Sequence, residues 1–318
     1  MQVCIDFGLT NFQGGKAKIY RELCKNTPPS VMNRCNLITS IPLPRELPPG
    51  AARSILLHPL SEMGVSCIDT LRIDWKPSSP YFLDLLDVAT DLQREGIIRS
   101  IAGKRIPNSA LRRAHSCGFR VETNQIPANL LDPCAFYNSD SLLMVHDTHT
   151  KLIIENPAAG GLLSSRYFNR PGEPYKFEMT TTERKNLRSL YKWQGRQESG
   201  MKSSWRLFQS KVMDTLHDIS LKHQVPLDVV VHRWALQLEG VAGTVASCEF
   251  RDGNDLGAQP KKLRKVFQLN LDEEDCAQLW KASGCERPTS DIPAIDLHEV
   301  EQGDNGPFFP PGAKLLWI

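Results

Sequence analysis

The stretch Cys67 to Arg105, CIDTLRIDWKPSSPYFLDLLDVATDLQREGIIRSIAGKR, constrains the fold more than any other part of the chain. It reads as strand, loop, amphipathic helix and second strand in one unbroken run. Cys67 to Trp75 is a short apolar strand, and Lys76 to Pro80 punctuates it with two prolines and two serines. In Tyr81 to Glu95 the apolar positions Phe82, Leu85, Leu86, Ala89 and Leu92 recur at helical spacing, which leaves Asp84, Asp87, Asp91, Arg94 and Glu95 for water. Gly96 stops the helix. Ile97 to Gly103 then reads as a buried parallel strand, because a crossover of this length packs its helix against the sheet face. The unit predicts an α/β fold.

The rest of the chain continues the alternation. Val3–Phe7 and Cys35–Ile41 are strand candidates, Lys16–Lys25 and Ala51–Met63 helices. Asn108–Cys117 is a helix capped by Asn108, and strands follow over Phe119–Asn124 and Lys151–Glu155. Residues 160–204 form a long polar connection with a helix around Glu183–Tyr191. Helices are expected over 204–223, Leu227–Glu239, 256–265 and Leu271–Ala282, and a last strand over 241–247. At 318 residues the length suits one (β/α) barrel, typically about 250 residues plus insertions. We expect the barrel over residues 1–284 and an irregular tail over 285–318 that closes on the apolar AKLLWI.

Charge disfavours two classes of partner. Lys and Arg number 38 against 36 Asp and Glu, so no overall field favours nucleic acid or an anionic membrane surface. Nine scattered cysteines without a CxxC pair read as reduced thiols, no apolar run approaches a membrane span, and the N-terminus has no signal-peptide pattern. The expected location is cytoplasmic.

A strand ending in IDW, the helix ending DLQREGIIRSIA, and TNQIPANLLD from Thr123 to Asp132 resemble the middle of an aldo-keto reductase. Residues 157–174 (PAAGGLLSSRYFNRPGEP), 212–243 and 266–275 keep the same order, so the resemblance covers roughly residues 3 to 282. It implies a (β/α)8-type TIM barrel and an NADP-dependent oxidoreductase acting on a small-molecule carbonyl or alcohol. Val3–Phe7 would correspond to the second barrel strand. The first strand and its helix then lack a counterpart, which would leave two unpaired edges unless the chain is truncated or another segment covers the gap.

The same resemblance points to site residues at the strand ends, where barrels of this class carry their chemistry. The catalytic Asp of the family falls on Asp6, but its proton-donating Tyr falls on Asn11, its Lys on Ser40 and its His on Asp74. Asn does not ionise near neutral pH, Ser brings no positive charge, and Asp brings negative charge where an oxyanion must develop. Of the groups that hold the nicotinamide carboxamide, Gln125 remains beside Asn124, while Lys104-Arg105 replaces a Ser/Thr-Asn pair. Glu155 replaces a stacking aromatic and Glu249 an Arg that pairs with the NADP phosphate, with Arg251 close enough to compensate. Gly160 and Gly161 permit either a pyrophosphate approach or a simple turn.

Other clusters read as structural. Asp6, Ser40 and Asp74 would point into one mouth, suited to a divalent metal, to acid-base work, or to neither at a silent site. His146 and His149 lack a further ligand nearby, so no metal is expected; Lys261, Lys262, Arg264 and Lys265 read as a wet helix face, and Trp193, Trp205 and Trp234 as packing. Two functions from different classes stand: an NADP-dependent oxidoreductase, impaired by its replaced catalytic positions, and a non-catalytic pseudoenzyme that binds a ligand or a protein partner.

Overall fold

Strand and helix alternate along nearly the whole chain. A computed structural model describes residues 2–6, 9–13, 17–135, 137–197, 205–246, 258–288 and 315–317. The elements are α1 (Gln2–Asp6), β1 (Asn11–Gln13), α2 (Ala17–Asn26), α3 (Pro29–Met32), β2 (Asn36–Pro42), α4 (Ala51–Met63), β3 (Ile68–Asp74), α5 (Phe82–Arg94), β4 (Ile98–Lys104), α6 (Asn108–Ser116) and β5 (Thr123–Pro127). There follow α7 (Ser139–Thr148), β6 (Lys151–Glu155), α8 (Thr181–Gly195), α9 (Trp205–Phe208), α10 (Asp214–His223), α11 (Leu227–Leu236), β7 (Val241–Val245), α12 (Ala258–Gln268), α13 (Glu273–Ser283) and β8 (Leu315–Trp317). The fold is of the (β/α)8-barrel type. Among the described residues no helix is long and apolar enough to cross a membrane.

Residues pack into two compact units: Met1–Ile126 with Leu143–Ile153 and Asp291–Ile318, and Pro127–Leu142 with Ile154–Ser290. In the first unit β1 to β5 pair in parallel in sequence order, and β8 lies parallel on the other side of β1 with Trp317 opposite Asn11. β3 shows why the strands read as nearly continuous apolar runs. Leu71 and Ile73 are wholly buried on one face, while Thr70 and Arg72, on the other face, are buried too, as expected of a parallel sheet covered on both sides. The second unit is built on aromatic packing, with Trp193 and Phe208 edge-to-face at 6.2 Å and Trp234 against Trp280 at 5.4 Å. Trp193, Trp205 and Trp234 are thus core residues.

Several expectations need correction. Val3–Phe7 is not a strand: Gln2–Asp6 is helix α1, with Cys4 and Ile5 buried, and the first strand comes later, at Asn11. Five residues, VCIDF, are too few to show a period by which helix and strand can be told apart. Asn108 is not the cap of α6; Pro107, in extended conformation, holds that position. β5 starts at Thr123 rather than Phe119, because the Phe119 amide still donates to the Ala114 carbonyl (3.0 Å) across the left-handed Gly118 that ends α6. Helix α7 was unforeseen, and it absorbs His146.

Candidate active site at the strand ends

Four parallel strands of the first unit bring polar residues to their C-terminal ends. Ser40 on β2 lies opposite Arg72 on β3, Asp74 opposite Lys104 on β4, and Lys104 opposite Gln125 on β5. Residues two apart in a strand share a face, so Arg72 and Asp74 project from the same side of β3.

Arg72 is the hub of this end, and it is 3% exposed. Its Nε donates to Asp74 Oδ1 at 2.9 Å, its Nη1 to Gln125 Oε1 at 2.7 Å and its Nη2 to Ser40 Oγ at 3.1 Å. One guanidinium therefore ties β2, β3 and β5 together. A buried cation needs a counter-charge, which Asp74 supplies while keeping its own side chain one-third (33%) exposed. Gln125 is 1% exposed, and its Nε2 has no hydrogen-bond partner. The hub went unnoticed in the sequence. The signal was there: Arg and Asp two apart in a strand, as in LRID, fall on one face and can pair.

Ser40, Asp74 and Gln125 are brought together, but Asn11, Asp6 and Asn124 do not join them. Asn11 sits opposite Asn36, whose Nδ2 donates to Asn11 Oδ1 at 3.0 Å. Asn36 precedes Ser40 by four strand residues, about 13 Å along β2, so Asn11 lies near the opposite end of the strands. Asp6 is exposed on α1 and lies on no strand. Asn124 is a brace, with Oδ1 accepting from the Ile106 amide (3.2 Å) and Nδ2 donating to the Ile106 carbonyl (2.9 Å). Gly103 makes room for this turn, since a Cβ there would come 2.3 Å from Ile106 Cδ1. Arg105 is exposed in left-handed conformation (φ 57°), and its amide donates to the Gln125 carbonyl at 2.8 Å.

In the second unit, Gly160 and Gly161 form a 3-10 turn packed on α8. A Cβ on Gly160 would come 2.5 Å from Asn186 Nδ2, and one on Gly161 3.3 Å from the carboxylate of Glu183, a residue 4% exposed. The amides of Gly161 and Leu163 donate to the Ala158 carbonyl, and that of Leu162 to the Ala159 carbonyl. Glu155 is half-buried. Arg251 and Glu249 lie outside the described residues, as do residues 289–314 of the tail.

Neither a metal nor the dinucleotide fits these groups as they stand. Among the described residues no three His, Cys, Asp or Glu side chains are placed to hold a metal ion, and the Arg72 guanidinium already bonds both Ser40 and Asp74 as their cation. For a nicotinamide dinucleotide, the acceptor of Gln125 is engaged by Arg72, the Gly161 amide is bonded within its own turn, and the Glu183 carboxylate, paired with Arg166, stands beside Gly161. Among the described residues, no aromatic hydroxyl or imidazole bonds to the Arg72 guanidinium, and a guanidinium itself does not release a proton.

The model of the aldo/keto reductase family matches residues 40–282. No curated protein sequence matches the chain significantly. Among solved structures, the holo form of aldo-keto reductase AKR11C1 from Bacillus halodurans is similar with a TM-score of 0.61 at 15% identity, over 89% of this chain and 84% of that one. Its apo form gives 0.59 at 15% over the same shares, and an aldo/keto reductase from Brucella melitensis gives 0.59 at 16%, over 88% of this chain and 87% of that one. At such identity these likenesses speak to the fold alone. The family match takes in β3 to β7 and the strand ends with Ser40, Asp74 and Gln125; the chain belongs to the aldo/keto reductase family.

Proposed function

We propose that this family member holds a small, acceptor-rich polar ligand at its strand ends without reducing it. The observation that carries the reading is the buried Arg72 guanidinium, bonded at once to Ser40, Asp74 and Gln125. Of its five N–H groups, three serve these bonds, and the two that remain, with Gln125 Nε2, are donors suited to a carbonyl or carboxylate oxygen. Lys104 and Arg105 add positive charge at the same strand ends.

A second reading, an NADP-dependent oxidoreductase of carbonyls or alcohols, is favoured by the family match itself and by the retained Gln125. One experiment separates the two. NADPH is titrated by quenching of protein fluorescence, and its consumption is followed over a broad panel of aldehydes and ketones. The expected result is a Kd weaker than about 100 μM, where ordinary dinucleotide sites reach micromolar affinity, and no consumption. Low-micromolar binding with turnover would overturn the non-reducing reading and establish the second.

A further inference from the structure

Cys134 and Cys285 are 151 positions apart in sequence, yet Cys134 Sγ lies 3.8 Å from the carbonyl oxygen of Glu286, the residue directly after Cys285, and the two thiols are near enough to interact. Cys134 lies in a 3-10 turn (Pro133–Ala135) that follows β5, and Cys285 comes directly after Gly284, the left-handed residue that ends α13. Both are half-buried in the second unit and both are free thiols.

Their meeting is built rather than accidental. From the last turn of α8, Trp193 Nε1 donates to the Ala282 carbonyl at 2.8 Å. Just beyond it, Arg196 reaches both sides of the junction: Nη2 donates to the carbonyls of Leu131 (2.5 Å) and Ser283 (3.5 Å), and Nη1 to Asp132 Oδ1 (3.3 Å). Cys134 Sγ in turn donates to the Glu286 carbonyl at 3.8 Å. Side chains from the end of α8 and from the Cys134 turn itself thus fix that turn against the end of α13, and place one sulfur near the other.

We propose that Cys134 and Cys285 are a modification site, a dithiol that closes to a reversible disulfide and covalently latches the turn after β5 to the end of α13. With a peroxide as oxidant the step balances. One thiolate attacks a peroxide oxygen, the O–O bond breaks, and water and a sulfenic acid result. The second sulfur then attacks the sulfenic sulfur, the S–O bond breaks, a second water leaves, and the S–S bond forms; the two electrons that reduce the peroxide come from the two sulfurs. Burial, followed by the neighbouring thiol, pushes the Cys134 thiol up to about 12, so Cys134 stays protonated at neutral pH. The site is independent of whether the strand ends reduce a substrate.

The test uses the full chain, reduced, then exposed to hydrogen peroxide, quenched by alkylation under denaturing conditions and mapped by mass spectrometry. Expected is the loss of two alkylatable thiols, with a mass lower by about two hydrogens, a cross-linked peptide pair containing residues 134 and 285, and reversal by a dithiol reductant. Cys134→Ser and Cys285→Ser should each abolish the cross-link. Exposed Cys117 reports whether the oxidant has acted. The proposal fails if Cys117 is oxidised while Cys134 and Cys285 both remain alkylatable, or if the cross-link maps to another pair. Because the mapping is done on the unaltered protein, a variant that does not fold leaves the test intact.

Discussion

Replacing Arg72 by methionine keeps most of the side-chain length and removes the charge on which the strand ends converge. Gln125, 1% exposed, would lose the donor to its Oε1, and a buried amide left unsatisfied costs about 1 to 3 kcal/mol. Breaking a fully buried ion pair costs about 3 to 5 kcal/mol, but Asp74 is one-third (33%) exposed and water can take over part of its solvation, so about 2 kcal/mol is a fair share. Ser40 is half-buried and adds little. The expected loss is therefore about 3 to 5 kcal/mol, large against the stability of an ordinary domain. Urea denaturation followed by circular dichroism measures it, provided the transition is checked with a second probe for two-state behaviour. Coupling is the sharper reading. If Arg72 and Gln125 support each other, Gln125→Leu should cost less in the Arg72→Met background, with an interaction energy of about 1 to 2 kcal/mol. A loss under about 1 kcal/mol for Arg72→Met, or costs that add to within about 0.5 kcal/mol, would refute the hub.

Three further outcomes are expected. His232 is buried, with Nδ1 at 3.0 Å from Thr244 Oγ1, and burial lowers its pKa to about 4. The unfolded chain takes up this proton near pH 6.5 and the folded chain does not, so stability should fall as pH drops from 6.5 toward 4, by about 1.4 kcal/mol per pH unit at most; His232→Gln should flatten that slope in urea midpoints, and an unchanged slope would count against it. Deleting residues 313–318 removes β8 and bares the outer edge of β1, so a lower Tm or aggregation is expected; equal melting and solubility would deny β8 this role. Asn11→Tyr, Ser40→Lys and Asp74→His combined should leave carbonyl reduction absent, because Asn11 faces Asn36 far from Ser40; NADPH-dependent turnover by the triple variant would contradict that placement.

Where period and punctuation agreed, the sequence was readable to within a residue or two. Ala51–Met63 and Lys151–Glu155 have the expected bounds, and the unit over residues 67–105 places β3, α5 and β4 within a residue or so of expectation. The site was half-legible. Ser40, Asp74 and Gln125 came from the family resemblance, which transfers along strands because strand ends converge whatever their side chains. Arg72 could not be weighed in the same way: its burial depends on partners 32 and 53 positions away, and a lone Arg in a strand reads as a solvent-facing charge. Asn11 failed for a local reason. Its placement hung on Val3–Phe7 being a strand, and with α1 there instead, the chain enters the sheet nearer the other end.

The pairing of β1 with β8 joins the first and last of the described strands, and this sets a timetable for the chain's birth. β2 leaves the ribosome soon after β1, but β8 follows some 300 residues later, about 15 to 60 s at the usual pace of about 5 to 20 residues per second. Throughout that interval one edge of a nascent parallel sheet waits for a partner still unmade, and any neighbouring nascent chain can offer a strand in its place. Yield in the cell should therefore respond to translation speed and to chaperones that shield nascent chains, even under conditions where the finished protein is comfortably stable.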